Sequence, residues 1–239
     1  MLQNIIGQVR KACEDFNMID DGDVIAVGLS GGKDSITLLH SLYTLKRFYP
    51  KKFDIVAITI HPGNKEFKTD ELEKMCEKLN IKYVVYNSNI FQVVFDIRKE
   101  KNPCSLCANM RRGMLNSVAI ENGCNKIALG HHMDDVIETF LMNLLYNGNI
   151  NTFAPVTYLS RSDVKVIRPL IYVSEKQIRA AVRENNFPIA NKSCPMDGYS
   201  KREYIKNIIL QLGKNIPKIK SQIFGAIKRS DIKGWKIDK

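Results

Sequence analysis

Ser30-Gly31-Gly32-Lys33-Asp34-Ser35 constrains this chain more than any other stretch. It follows the unbroken apolar run Val24 to Leu29 and leads into Ile36 to Leu42, where apolar residues recur at helical spacing. A continuous apolar run reads as a strand buried on both faces, and the switch to helical periodicity places the paired glycines at a strand-to-helix turn. At such a turn the first backbone N–H groups of the helix have no internal acceptor and the helix dipole favours an anion. Glycine lets that anion approach without a Cβ in the way. Lys33 adds a positive charge, and the hydroxyls of Ser30 and Ser35 add donors. The hexapeptide is a phosphate cradle.

It is not the common nucleoside-triphosphate loop, which has four residues between its glycines and a Ser or Thr directly after the Lys. Here Asp34 follows Lys33. The hexapeptide instead resembles the pyrophosphate-binding loop of the PP-loop ATP pyrophosphatase superfamily. That resemblance implies an enzyme that cleaves ATP between the α- and β-phosphates and adenylates an oxygen of its substrate.

The 239 residues suit one domain, or one domain with a small appendage. Residues 1–190 are expected to form an α/β domain and residues 191–239 a basic helical segment. The net charge of +11 is concentrated at the end, where residues 201–239 hold eleven Lys or Arg against three acidic residues. Such a stripe is the electrostatic footprint of a polyanion, although a solvated helical face carries the same composition. No apolar stretch has the length of a membrane span and the N-terminus lacks a signal-peptide layout, so a cytoplasmic location without a membrane partner is expected.

Apolar runs at 54–60, 82–86, 126–130 and 165–168 alternate with helical patterns at 67–79, 105–121 and 134–146, and with one beginning at Ser174. Ser174 and Gln177 form a capping-box pair. This alternation implies a doubly wound, mostly parallel sheet with helices on both faces. Ligands bind such sheets at the carboxyl ends of the strands. The segments expected along that edge are Ser30 to Ser35, His61-Pro62-Gly63, Asn87-Ser88 and His131 to Asp135. His61, Gly130 and His131 are therefore candidates for contact with the nucleotide.

Gly130-His131-His132-Met133-Asp134-Asp135 joins a strand end to a helix start. Acidic residues there can simply complement the dipole, but that accounts for one carboxylate better than for two. Bound ATP requires Mg²⁺, which takes one or two protein carboxylates. Asp34 and one of Asp134 or Asp135 are the candidates, with catalytic roles expected for Lys33, Asp34, Asp134 and Asp135.

Pro103-Cys104-Ser105-Leu106-Cys107 is a CxxC without the buried strand that a redox pair needs before it. Cys194 follows in a Pro-flanked loop. Three thiolates under-fill a zinc site and suit an iron–sulfur cluster with one iron left without a cysteine, and spacing does not decide between the metals. Arg111 lies four residues after Cys107, on the same helical face, and can hold a phosphate of ATP or RNA.

SGGKDS, PCSLCANMRRGML, LGHHMDDVIETFLMNLLYNG, Arg168-Pro169-Leu170 and a late cysteine together resemble the tRNA 2-thiocytidine synthetase family. The resemblance implies a [4Fe–4S] cluster on Cys104, Cys107 and Cys194. It also implies ATP-dependent activation of a cytidine in the tRNA anticodon loop, at position 32, and replacement of its O2 by sulfur. The expected partners are tRNA and a sulfur donor, either a cysteine desulfurase or free sulfide, and a homodimer is permitted. Many members carry a second cysteine where this chain has Asp197. The rival readings are a 2-thiouridine or lysidine enzyme on the same fold, a small-molecule adenylating enzyme, and a metal-dependent RNA-binding protein without catalysis.

Overall fold

The computed structural model describes residues 1–64, 66–98, 103–190 and 201–237. The chain opens with α1 (Leu2–Asp15), then β1 (Asp23–Gly28), α2 (Lys33–Lys46), β2 (Phe53–His61), α3 (Asp70–Lys78) and β3 (Lys82–Asn87). A π-helical turn at Gln92–Ile97 precedes α4 (Pro103–Glu121) and β4 (Lys126–Ala128). There follow α5 (Met133–Asn147), β5 (Val156–Leu159), β6 (Val164–Ile167), a 3₁₀ turn at Pro169–Tyr172, α6 (Glu175–Asn185), α7 (Lys201–Asn215) and α8 (Ile219–Arg229).

The six strands are ordered β3-β2-β1-β4-β6-β5, and all neighbouring pairs except β5–β6 are parallel. Alternation along the strands divides the apolar residues between two cores. Ile25, Val27, Ile55, Ala57 and Ile167 face a large core filled from α1, α2, α5 and α6. Ala26, Val56, Ile58, Ile127 and Val166 face a smaller core covered by Leu115, Val118 and Ala119 of α4. Among the described residues, α4 is the one helix contributing to that second core. The fold is the doubly wound, mostly parallel architecture that the alternating pattern implies.

Three features depart from the sequence reading. The helix expected from Phe67 begins at Asp70; Phe67 stays in the loop, its carbonyl accepting from His61 Nε2. The strand expected at 165–168 is preceded by β5, which forms an antiparallel hairpin with it. The Arg168 Nη1 donates to the Ala154 carbonyl at 2.7 Å and to Thr157 Oγ1 at 3.0 Å, tying that hairpin together. Finally, α1 had no counterpart in the sequence reading; it buries Ile5, Ile6, Val9, Ala12 and Cys13 against the main core.

The basic C-terminal helices contribute Ile205, Ile209, Phe224 and Ile227 to the main core. Trp235, fully buried beyond α8, donates its indole N–H to the Phe153 carbonyl and packs edge-on against Phe16 and Phe224. Among the described residues no helix is long and apolar enough to cross a membrane.

The opposite, amino edge of the sheet is locked by charge. Lys126, at the start of β4, is 2.6 Å from Asp23 Oδ2 at the start of β1 and 2.7 Å from Asp20 Oδ2, and both Lys126 and Asp23 are buried. Asp23 also accepts from Asn125 and from the Asp20 N–H. Removing one partner of a buried pair leaves an uncompensated charge. Lys126→Met is therefore expected to lower the unfolding free energy by about 3–5 kcal/mol in denaturant titration. A loss below about 1 kcal/mol would show that Asn125 and the backbone satisfy Asp23 alone.

Candidate active site

Strand order reverses between β1 and β4, so the loops that follow these strands diverge and leave a crevice at the carboxyl edge. A cavity of about 390 Å³ opens there. Leu29, Ser30, Asp34 and Ser35 line it from the β1–α2 turn, Leu129, Gly130, His131 and Asp135 from the β4–α5 turn, and Ala108, Arg111, Arg112 and Leu115 from α4. Ile58, Ile60, Pro62 and Phe67 close its apolar side.

Hydroxyl and backbone bonds shape the turn. The Ser30 N–H donates to Ser35 Oγ at 3.2 Å, and the Ser35 hydroxyl donates to the Gly32 carbonyl at 2.9 Å. Gly31 has φ +73°, a left-handed conformation that glycine adopts without cost. A Cβ there would sit 2.6 Å from Ala190 Cβ, and the Ala190 N–H donates to the Gly31 carbonyl at 3.0 Å. Gly32 is the N-cap of α2 and offers no side-chain cap. The starts of α5 and α6, by contrast, are closed by capping boxes from His132 with Asp135 and from Ser174 with Gln177. The N-terminal donors of α2 therefore remain available to an anion in the cavity.

Gly130 permits the second close approach. A Cβ on it would lie 3.0 Å from the Asp34 carbonyl carbon and 3.1 Å from the Ser35 nitrogen. This contact sets His132 against Asp34. The His132 Nδ1 accepts the Asp135 N–H, which leaves the ring proton on Nε2, 3.6 Å from Asp34 Oδ1. Asp34 Oδ1 is buried and has no hydrogen-bond partner among the described residues. Its other oxygen is 3.0 Å from Lys33 Nζ.

The remaining predicted residues divide. The His131 ring lines the cavity against Phe153, its buried Nδ1 unpartnered among the described residues. Burial, with Arg168 nearby, pushes its pKa down to about 4, so it is neutral at physiological pH. His61 is turned away; its ring takes the Gly63 N–H and faces the Phe67 carbonyl, shaping the loop that carries Phe67 to the cavity. Lys33 is not in the lining; its ammonium lies 3.0 Å from Asp34 and 3.1 Å from Glu175. Burial alone would lower its pKa, but the two carboxylates outweigh that and hold it above the ordinary lysine value.

Asp134 and Asp135 point apart. Asp135 lines the cavity and accepts from Arg202 on Oδ1 at 3.0 Å, while Oδ2 caps the His132 N–H. Asp134 is buried beneath, with Lys220 at 2.6 Å on Oδ1 and the Glu175 N–H at 2.7 Å on Oδ2. Glu138, also buried, meets Arg202 at 3.1 Å.

Comparison with known proteins follows the same lines. A family model described as "PP-loop domain" matches residues 1–212. A Geobacter metallireducens tRNA-cytidine(32) 2-sulfurtransferase is 38% identical over 92% of this chain and 86% of its own length. Its counterpart from Ralstonia pickettii is 36% identical over 92% of this chain and 71% of its own length. The chain belongs to the tRNA-cytidine 2-sulfurtransferase family of PP-loop proteins. Among solved structures, the U34-tRNA thiolase NcsA from Methanococcus maripaludis, with its [4Fe–4S] cluster, superposes with a TM-score of 0.73 at 27% identity, covering 92% of this chain and 76% of its own.

On this 2-sulfurtransferase scaffold the CxxC falls where cavity and helix meet. Cys104 is exposed and Cys107 half-buried, both in the first turn of α4. They continue the stripe Ala108, Arg111, Arg112 and Leu115 that lines the cavity, at spacings of three and four. Cys194 and Asp197 lie outside the described residues. Among the described residues no group of three or more His, Cys, Asp or Glu is placed to hold a metal. Two thiolates at helical spacing fit a soft metal or an iron–sulfur cluster once a third thiolate joins them. For Mg²⁺, the unpartnered Asp34 Oδ1 is the open acceptor; both oxygens of Asp134 and of Asp135 are engaged.

Sequence reasoning missed Arg112, Phe67, Glu175 and Arg202. The stripe spacing 108, 111, 112, 115 could have found Arg112. The others depend on contacts between distant segments and leave no local signal.

Two expectations follow. Gly130→Ala would push the β4 end against the α2 turn and shift its donors by a few tenths of an ångström. ATP affinity, read by calorimetry, should fall roughly tenfold or more, whereas Gly113→Ala, where a Cβ meets nothing within 4 Å, should leave it unchanged. The second concerns Glu138. Burial pushes its carboxyl up from 4.5 to about 7, against the pull of Lys206 and Arg202. Between those values the folded protein binds more protons than the unfolded chain, so this group makes stability fall as pH rises. Glu138→Gln removes that slope. Its stability relative to the parent should increase from about pH 5 to about pH 8 in urea titration, and a pH-independent difference would contradict the assignment.

Proposed function

We propose that this protein uses ATP to thiolate tRNA, converting a cytidine of the anticodon loop, position 32, to 2-thiocytidine. The observation that carries the reading is one cavity shared by the Ser30–Ser35 turn and by the α4 face that continues through Cys107 and Cys104. The substrate class is supported by relatives named tRNA-cytidine(32) 2-sulfurtransferase.

In this reading the β- and γ-phosphates of ATP take the free donors at the start of α2 and the hydroxyl of the exposed Ser30, while the Ser35 hydroxyl, given to the Gly32 carbonyl, shapes the turn. Asp34 would hold Mg²⁺ through Oδ1, and the bound ion neutralises phosphate charge. The cytidine O2 attacks the α-phosphorus, the bond to the bridging oxygen breaks, and pyrophosphate leaves with the electron pair. Lys33 and the α2 N-terminus stabilise the charge that develops on it. Arg111 and Arg112 reach the cavity from α4, exposed enough to meet the α-phosphate or the RNA backbone. His131, neutral and packed on Phe153, keeps a ring nitrogen open to the ligand rather than a positive charge beside it. A sulfur nucleophile then adds to C2 and AMP departs with O2. Cys104, Cys107 and Cys194 would hold the [4Fe–4S] cluster, which when bound supplies a coordination position for the incoming sulfur. The cations of the C-terminal helices not engaged by carboxylates would contact tRNA phosphates, with a dependence on salt.

Asp34→Ala is expected to abolish AMP and pyrophosphate release from ATP and tRNA, and undiminished release would remove Asp34 from the mechanism. Cys104→Ala, Cys107→Ala and Cys194→Ala should each lose iron and visible absorption after anaerobic reconstitution. Mass spectrometry of tRNA nucleosides from a deletion strain decides the product. Loss of 2-thiocytidine alone supports the reading; loss of a 2-thiouridine instead, the chemistry suggested by the U34-tRNA thiolase likeness, overturns it.

A further inference from the structure

Asp134 sits beside a cavity residue, yet it directs its charge elsewhere. It is 4% exposed; Lys220 of α8 holds one oxygen at 2.6 Å and the N–H of Glu175 the other at 2.7 Å. Glu175, the first residue of α6, then reaches the cradle lysine: its Oε1 is 3.1 Å from Lys33 Nζ. Lys33 meets Asp34 at 3.0 Å. One line of contacts therefore runs from the basic C-terminal helix through α5 and the start of α6 to the phosphate turn.

This line is more than a tie between helices. The N-terminus of α6 is already closed by Ser174 and Gln177, so the Glu175 side chain is not needed as its cap. Arg179, four residues on, already gives Glu175 a cation at 2.8 Å. The additional contact with Lys33 serves the lysine. A lysine side chain is a flexible stem with a point charge and loses much rotamer freedom when held in one place. Two carboxylates near 3 Å, of which Glu175 is itself held by Arg179, fix it before ATP arrives. Preorganised charge of this kind needs no rearrangement when charge develops in the transition state. Burial works against ionisation of Glu175, but Arg179 and Lys33 hold its carboxyl down at about 2, so the anion is permanent at neutral pH.

We propose that Glu175 is the positioning residue for Lys33 in ATP cleavage, with Asp134 as the buried strut that fixes the Glu175 backbone. The proposal rests on the ATP reading above. Glu175 acts through Lys33 and touches neither ATP nor tRNA.

The test is Glu175→Gln in the full-length, cluster-loaded protein. The substitution keeps shape and a hydrogen-bonding oxygen but removes the charge. With Mg-ATP and tRNA, kcat for pyrophosphate release should fall roughly tenfold or more, while KM for tRNA and the thermal midpoint stay at parent values. Glu175→Asp should recover part of the loss. A merely structural role would lower the midpoint and spare kcat, which overturns the proposal, as does parental kcat in Glu175→Gln. A second readout needs no turnover. The Lys33 ε-carbon resonance in selectively labelled protein, assigned by its loss in Lys33→Arg, should move in Glu175→Gln. An unmoved resonance overturns the contact itself. A moved resonance in a protein whose parent releases no pyrophosphate supports the Glu175–Lys33 contact and counts against the ATP reading instead.

Discussion

The geometry of the carboxyl edge depends on how closely the end of β4 approaches the first turn of α2. Gly130 lies against the backbone of Asp34 and Ser35, where a Cβ would be 3.0 Å from the nearest carbon. That approach puts the His131–Asp135 turn beside the phosphate cradle, brings His132 Nε2 to 3.6 Å from Asp34, and leaves Asp34 Oδ1 buried without a hydrogen-bond partner among the described residues. An unpaired buried acceptor is costly in an apolar setting. Its placement on a cavity wall is understandable if a cation or a donor from a ligand completes it. The same edge leaves the α2 N-terminus without a side-chain cap while its neighbours α5 and α6 are closed. Free donors and one free acceptor thus face a single space, the pairing that a magnesium-bound polyphosphate requires.

Charge on the C-terminal segment is divided by the fold. Its composition alone reads as a stripe for a polyanion, but Arg202, Lys206 and Lys220, although still part-exposed, pair with Asp135, Glu138 and Asp134. Lys228 lies over the Tyr172 ring and Lys201 over Tyr146. The positive charge left unpaired on this segment is accordingly smaller than the residue count implies. The inward-facing cations compensate carboxylates whose burial would otherwise be expensive. They also join the segment to the wall of the cavity, through Arg202 on Asp135.

The legible parts of the sequence were those where local chemistry and chain geometry agree. SGGKDS announces a strand, a turn and an uncapped helix within a few residues, and Ser174 with Gln177 announces a helix start that the structure places at the same point. The CxxC and Arg111 share a face because helical spacing makes them do so. What could not be read depends on partners far away in the chain. Asp134 and Asp135 are identical in type and adjacent, yet successive helical residues point about 100° apart, so only one of them can face the cavity. Which one is set by Lys220 and the Glu175 N–H, 86 and 41 residues downstream. Lys33 looks like a phosphate ligand in the sequence, and only the position of α6 reveals Glu175 beside it. The β5 hairpin escaped notice because four residues carry too little periodicity, and its register depends on Arg168 reaching back to Ala154 and Thr157.

The placement of α4 beside the cradle follows from topology. A crossover helix between parallel strands must run back against them, so α4 begins at the carboxyl edge where β3 ends. Only its later part, at Leu115, Val118 and Ala119, covers the sheet. Between Cys104 and Met114 the helix buries no residue, which means that its first half overhangs the edge instead of lying on the strands. That overhang carries Arg111 and Arg112 onto the cavity that β1 and β4 open, with Cys104 and Cys107 further along the same helix. A helix beginning at the sheet edge would have filled the second core equally well and left Arg111 and Arg112 off the cavity wall.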